Sequence, residues 1–100
     1  MSELKRNRKP TMPGEILREM FLKPRKITIT DLADAIDVSR KHLSQVVNGA
    51  ERITPTMAMR LSKALNTSPQ LWLNAQAATD GYEAEQAAKE WTPKRVFEAA

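Results

Sequence analysis

The side chains most able to do chemistry in this 100-residue sequence lie together in the stretch SRKHLSQVVN, from Ser39 to Asn48. Apolar residues recur there at i, i+3 and i+4 (Leu43, Val46 and Val47), which predicts a short helix with one buried stripe. The opposite face carries donors and acceptors but no carboxylate. Arginine suits the O6 and N7 atoms of guanine, and glutamine suits the N6 and N7 atoms of adenine. Such a face indicates a reader of DNA bases, although an ordinary solvated helix face is also polar.

A second short helix is predicted just before this one. Thr28 can N-cap the first of the two helices and Ser39 the second. Asp37 and Val38 make the turn between them, and Gly49 offers a left-handed stop after the second helix. Two helices joined in this way form a helix-turn-helix, which places its second helix in a major groove of DNA. The preceding helix and the turn therefore favour base reading over a plain solvated face.

The charge of the chain is unevenly distributed. Residues 1–49 contain ten lysines and arginines against six acidic residues, whereas residues 50–100 contain six of each. The whole excess of +4 thus lies in the half that holds the predicted groove helix. A phosphate backbone is the natural partner of such an excess, although a net charge of this size is also common in proteins that need only solubility.

The sequence lacks the residues that catalytic, metal-binding and phosphate-binding sites require. The sequence has no cysteine and one histidine, His42, so it offers neither thiolate chemistry nor a metal-ligand cluster. No serine stands in a nucleophile-elbow pattern, and three glycines do not make a phosphate-binding loop. We therefore expect no enzyme activity and no cofactor. We also expect a cytoplasmic protein, because no apolar run approaches the ~20 residues of a membrane span and no secretory signal is visible.

The remaining sequence predicts an all-α fold of five core helices with a helical C-terminal extension. The first helix is predicted over residues 11–22, with Pro24 forcing its exit. Thr54–Pro55 and Ser68–Pro69 each combine an N-cap with a proline at the first helical position, and so start the fourth and fifth helices. The fifth helix is expected to run toward Asp80–Gly81. These limits divide the chain into a flexible basic arm (1–10), a helix-turn-helix DNA-binding domain (11–80) and the extension (81–100).

The extension is predicted to hold a helix over residues 82–89 and a last short helix that starts at Thr92–Pro93. It has too few apolar residues for a core of its own. Trp91, Val96 and Phe97 must therefore find a surface on the parent domain, on a second copy or on another protein.

The basic arm has three open interpretations. It can contact DNA, lie free in solvent, or dock on a protein partner. Its possible DNA contacts are Lys5, Arg6, Arg8 and Lys9.

Three stretches of the sequence resemble the HigA-type addiction-module antidotes, which belong to the Xre/Cro class of helix-turn-helix proteins. They are MPGEILREMFL, then ITDLADAIDVSRKHLSQVVNG, then ITPTMAMRLSKALNTSPQLWLNAQAATD, and they extend from about Met12 to Asp80. The PGEIL opening and the NTSPQLWLNAQ segment are the narrower parts of the resemblance. Two positions depart from the family pattern: Asp37 stands where glycine is usual in the turn, and Met12 stands where histidine often precedes PGE.

The resemblance implies a cytoplasmic antitoxin that binds a HigB-type toxin, an endonuclease that cleaves mRNA at the ribosome. It also implies a homodimer that binds its own operator in double-stranded DNA and represses its operon. Bases are then read by Arg40, Lys41, Ser44 and Gln45. Backbone contacts are then expected from Ser39 and Asn48. Apart from the resemblance, Thr28 and His42 are further candidates for backbone contacts, although plain partial exposure is the other interpretation of His42.

Two alternatives stay open. One is a free-standing regulator of the Xre class without a toxin. The other is a toxin-binding module with little DNA binding, which uses either the basic arm or the apolar residues of the C-terminal extension.

Overall fold

The structure is a computed structural model that describes residues 8–99, and this range contains five helices. Helix α1 comprises Pro13–Ile16 in α-helical, Leu17–Leu22 in π-helical and Lys23–Arg25 again in α-helical geometry. The others are α2 (Ile29–Ala35), α3 (Arg40–Val47), α4 (Pro55–Leu65) and α5 (Pro69–Ala87). No strand occurs between residues 8 and 99. Most of the predicted basic arm, including Lys5 and Arg6, lies outside the described residues.

The predicted N-caps are confirmed by their hydrogen bonds. Thr28 Oγ1 accepts from the amide of Asp31 at 3.0 Å, and Ser39 Oγ accepts from that of His42 at 3.0 Å. Thr54 and Ser68 cap α4 and α5 in the same way. Each of these four side chains satisfies an amide that the helix itself leaves without an acceptor.

The predicted left-handed stop after α3 is also confirmed, since Gly49 has φ +82°. Asn66 has φ +59° after α4. Asp37 adopts φ +60° in the turn between α2 and α3, where the family usually has glycine. Aspartate tolerates this region at some cost, so the tight turn persists without glycine.

Helix α1 is longer than predicted, because it passes through Pro24 instead of ending before it. The Lys23 amide donates to the carbonyl of Arg18, five residues back, so the helix is π-helical just before the proline. A proline in an α-helix clashes with the carbonyl four residues back and lacks an N–H. The wider turn accommodates both faults, and the helix ends at Lys26, whose φ is +56°.

The C-terminal extension also differs from the prediction. Helix α5 continues through Gly81 to Ala87, so the predicted end near Asp80–Gly81 is wrong. Residues 82–87 are helical as predicted, but they belong to α5. One helical glycine costs about 1 kcal/mol, which is too little to end a helix that the core holds in place. The last short helix is wrong as well, since residues 91–99 are irregular and exposed. A helix of one or two turns is not stable without packing.

All five helices contribute to one core. Trp72 lies at its centre with no exposed surface, and its Nε1 donates to Thr67 Oγ1 at 2.9 Å. The Phe21 ring of α1 packs against it at 5.4 Å between centroids. Leu43 of α3 and Leu61 of α4 are equally buried. Because α3 is anchored in this core by Leu43, the core fixes the orientation of α3 relative to the other helices.

Candidate nucleic-acid interface

Helix α3 turns its apolar stripe to the core and its polar side chains outward. Leu43, Val46 and Val47 are all buried, with at most 4% of their surface exposed. At about 100° per residue, the polar positions form one outward arc roughly 140° wide. The residues of this arc are Arg40, Ser44, Asn48, Lys41 and Gln45. The structure therefore brings the four predicted base-reading residues together on one face.

The members of this outward arc differ in exposure. Arg40, Lys41 and Asn48 are exposed, whereas Ser44 and Gln45 are half-buried. The two cations can therefore move toward a phosphate or a base, while the shorter polar side chains are held closer to the helix.

Arg40 is positioned by the neighbouring helix. Its Nε donates a hydrogen bond to Thr30 Oγ1 of α2 at 3.0 Å. This bond uses one of the five donor hydrogens of the guanidinium and leaves the terminal nitrogens available for a bidentate contact. The sequence does not indicate this role of Thr30, because a threonine in the first turn of a helix carries no signal of a partner ten residues away.

The turn between α2 and α3 is clamped by a residue of α4. Arg60 donates from one terminal nitrogen to the carbonyl of Ile36 at 3.0 Å and to that of Asp37 at 3.2 Å. These are carbonyls at the end of α2, which the helix cannot satisfy itself. The sequence does not indicate this contact of Arg60 either. Its position off the apolar stripe of α4 indicates only that it does not pack in the core.

The far end of α3 rests directly on the start of α1. Gly14 is buried there, and a Cβ on this residue would lie 2.6 Å from the carbonyl oxygen of Val47 and closer still to that of Val46. Only glycine permits this approach of backbone to backbone. The glycine of the PGE segment therefore sets how closely the end of α3 packs against the start of α1.

Two of the residues predicted to contact the DNA backbone, Thr28 and Ser39, lie at the starts of α2 and α3. Thr28 and Ser39 are exposed N-caps, so phosphate oxygens can approach the amides around them. His42 is half-buried and lines a depression with Val38 and Thr56, on the α4 side of the outward arc. It therefore lies off the face that holds the base-reading residues.

The charge on the outward arc is positive. The ion pairs between residues 8 and 99 join Glu19 to Arg18 and Lys23, and Arg52 to Asp80, so none involves Arg40 or Lys41. Arg8 and Lys9, the described part of the basic arm, are exposed. The outward arc thus offers unneutralised cations to a polyanion.

Residues 8–99 contain no group of three histidine, cysteine or acidic side chains that could hold a metal ion. None of the helices in this range is both long and apolar enough to span a bilayer.

Comparison with known proteins places this geometry in a family. A helix-turn-helix family model matches residues 17–72. An HTH-type transcriptional regulator of Haemophilus influenzae is 47% identical over 78 residues, which cover 78% of this chain and 73% of the relative. Antitoxin HigA-1 of Vibrio cholerae is 41% identical over 76 residues, which cover 76% of this chain and 71% of HigA-1. This chain belongs to the HigA-type group of Xre/Cro-class helix-turn-helix proteins.

A solved structure of a HigA-type protein has the same fold. Antitoxin HigA of Pseudomonas aeruginosa, solved with the higBA promoter, superposes with a TM-score of 0.77 and 34% identity. The match covers 86% of this chain and 99% of the Pseudomonas chain. The all-α, five-helix prediction is thereby confirmed.

The HigA-type domain carries an apolar segment beyond α5. Trp91, Val96 and Phe97 are 68%, 66% and 77% exposed. The guanidinium of Arg95 lies 4.4 Å from the centre of the Phe97 ring, and this is the one stacking contact that the segment makes between residues 8 and 99. Exposed apolar clusters of this kind are typical of surfaces that bind proteins.

Proposed function

We propose that this protein is the antitoxin of a HigB/HigA-type module and the sequence-specific autorepressor of its own operon, acting in the cytoplasm. The observation that carries the DNA-binding part is the outward arc of α3. It gathers two cations and three uncharged hydrogen-bonding side chains on one face, with no ion-pair partner for either cation in the described range. The Pseudomonas HigA structure, which contains promoter DNA, supports the same use of the fold.

The mechanism starts from a homodimer with two-fold symmetry. Two copies of α3 enter successive major grooves about one helical turn apart, ~34 Å. Amides at helix starts bind phosphates and fix the register, while the outward arc discriminates between base pairs. Each good bidentate contact contributes roughly 1–3 kcal/mol of discrimination.

The residues divide into three groups by role. Bases are read by Arg40, Lys41, Ser44 and Gln45. The DNA backbone is contacted by Ser39, His42, Asn48 and Thr28. Further contacts come from the arm residues Lys5, Arg6, Arg8 and Lys9. In this assignment residues 11–80 form the DNA-binding domain, between the basic arm and the C-terminal extension.

The antitoxin part of the proposal is supported by the relatives. The V. cholerae and P. aeruginosa proteins are both antitoxins of the HigA type. A HigB-type toxin that cleaves mRNA is therefore the protein partner that we propose, and binding by this chain neutralises it.

Two assays in cells test the two parts separately. The upstream DNA of the gene drives a reporter, and the HigB-type toxin of the neighbouring reading frame is expressed from an inducible plasmid. We expect the wild-type protein to repress the reporter and to restore growth. Arg40→Ala should lose repression and still restore growth, because its side chain belongs to the DNA contact. Loss of growth rescue without loss of repression in Arg40→Ala would contradict the assignment of α3.

A second candidate function is a toxin-binding module with little DNA binding. The observation that favours it is the exposure of Trp91, Val96 and Phe97, which offer a protein-binding surface independent of α3. In this case the wild-type protein restores growth and leaves the reporter unrepressed. A free-standing regulator gives the opposite result, repression without growth rescue.

A further inference from the structure

A cleft at the C-terminal end of α3 is lined by acidic side chains. It lies between the start of α1, the loop after α3 and the middle of α5, and it has a volume of about 380 Å³. Three carboxylates line it (Glu51, Asp80 and Glu83), against one guanidinium, that of Arg52. The cleft therefore carries a net charge of −2 in a protein whose overall charge is +4.

Some of the polar side chains that line the cleft bond to other groups of its wall. Gln76 Oε1 accepts from the amide of Ile53 at 2.7 Å, and its Nε2 donates to Asp80 Oδ1 at 3.0 Å. Arg52 forms an ion pair with the other oxygen of Asp80. These bonds fix the loop after α3 on α5 and give the cleft a rigid wall.

The rest of the lining lacks partners between residues 8 and 99. Neither Glu51 nor Glu83 forms an ion pair with a residue in this range. Thr79, which is 4% exposed, lines the same cleft, and its buried Oγ1 has no hydrogen-bond partner among these residues. A buried hydroxyl without a partner is unusual, because most buried polar groups are hydrogen-bonded. The cleft is thus lined by two carboxylates without ion-pair partners in the described range and by one buried hydroxyl without a hydrogen-bond partner there.

We propose that this acidic cleft is the docking site for the toxin, and that it takes an arginine or lysine side chain from the toxin's RNA-binding surface. This inference rests on the proposed antitoxin function. A guanidinium fits best, because its planar fork of donors forms paired hydrogen bonds with carboxylates such as those of Glu51 and Glu83, which line the cleft. An enzyme that cleaves mRNA needs cationic side chains to hold phosphates. Occupation of the cleft removes such a side chain from RNA, which accounts for neutralisation.

The acidic cleft and the DNA face use different residues. The cleft is lined by Val46 and Gly49, at the end of α3 opposite its Ser39 cap. The variants below therefore change toxin binding without removing a side chain of the outward arc.

The test measures toxin and operator affinity of the full-length protein by isothermal titration. The probe is the HigB-type toxin from the neighbouring reading frame, in a catalytically inactive form. We expect Glu83→Lys to raise the dissociation constant for the toxin by about tenfold or more, because it places a cation where a cation must bind. The matched control is Glu85→Lys, an equal change of charge about 200° around α5. It should change toxin affinity by less than about twofold, and the two variants should change operator affinity alike.

A second variant tests the orphaned hydroxyl. Thr79→Val keeps the shape of the side chain and removes the unpaired oxygen. We expect the melting temperature of the free protein to stay the same or to rise, since no satisfied hydrogen bond is lost. Toxin affinity should nevertheless fall about threefold or more. A purely structural role of Thr79 would change stability and not affinity.

Three results would overturn the proposal. Wild-type toxin affinity in both Glu83→Lys and Thr79→Val would place the docking surface elsewhere and leave the antitoxin function intact. A lowered melting temperature with unchanged toxin affinity in Glu83→Lys would show that Glu83 stabilises the fold and does not contact the toxin. Absence of toxin binding by the wild-type protein would refute the antitoxin function itself.

Discussion

Gln45 is the side chain whose replacement best separates base reading from attraction to phosphate. It lies on the outward arc of α3, where its amide can pair with the edge of an adenine. We expect Gln45→Ala to lose about 1–3 kcal/mol of binding to operator DNA and almost nothing on random duplex. Lys9→Ala, on the exposed basic arm, should weaken binding to both duplexes alike. Dissociation constants from gel-shift titrations decide this, and equal losses on both duplexes in Gln45→Ala would refute its role.

Thr30 offers a second test at the scale of a single residue, because it holds Arg40 by one hydrogen bond. Thr30→Val removes the acceptor and keeps the shape, so Arg40 gains rotamer freedom that it must lose again on binding. We expect operator affinity to fall by about 1 kcal/mol, roughly fivefold. Thr30→Ser should retain wild-type affinity, since its hydroxyl can still accept. An equal loss in the serine variant would show that the hydrogen bond is not what positions Arg40.

Residue roles that depend on local sequence were predictable, and those that depend on distant partners were not. Thr28 and Ser39 cap their helices as the sequence indicates, because a cap bonds to an amide three residues away. Arg60 reaches carbonyls more than twenty positions back along the chain, and Thr30 accepts from the next helix. No local spacing encodes such contacts. The DNA contacts of the outward arc stay predictions.

At the scale of elements, two helical glycines should respond in opposite ways to the same substitution. Gly81 lies inside α5 with nothing within 4 Å of an added Cβ, so Gly81→Ala should stabilise the protein by about 0.5–1 kcal/mol. Gly14→Ala should destabilise it by about 1–3 kcal/mol, because the Cβ would strike the carbonyls at the end of α3. Thermal unfolding measures both. An unchanged melting temperature in Gly81→Ala would mean that α5 ends near Asp80 in solution.

The clamp between α4 and the turn before α3 is a second property of the elements. Arg60→Met keeps much of the apolar stem and removes the donors to Ile36 and Asp37. We expect a loss of about 1 kcal/mol in the free energy of unfolding, measured in urea. Lys63→Met, on the same helix and without a hydrogen bond between residues 8 and 99, is the control. Equal stability of the two variants would show that the clamp contributes nothing.

The helices themselves were largely predictable from apolar spacing and from proline at helix starts. The ends of the helices were less predictable, because α1 and α5 continue through Pro24 and Gly81, two residue types that usually end a helix. Pro24 is accommodated by a π-helical turn, and Gly81 by a helix already held through Gln76 and Thr79. The π-helical turn removes the conflict at Pro24, whereas at Gly81 packing on the core outweighs a local preference of about 1 kcal/mol.

At the scale of the whole molecule, the positive outward arc and the acidic cleft place opposite charges on different parts of one small domain. The arc attracts a polyanion, and the cleft is suited to a cationic protein. The sequence located the positive charge in the first half of the chain, but the acidic cleft joins Glu51 with residues of α5 and becomes visible only once the chain is folded. In the function proposed above, a dimer of such domains bridges two half-sites of DNA while each copy holds a toxin.

We propose above all that the protein reads a sequence in its own upstream DNA. The most direct measurement is fluorescence anisotropy on that DNA and on random duplex, at about 50 and 200 mM salt, a range over which binding to phosphate alone collapses. We predict that binding to the upstream DNA persists at the higher salt and exceeds random binding by a factor of ~10³ or more. Equal binding to both duplexes that disappears with salt would contradict the account and leave only a basic protein attracted to a polyanion.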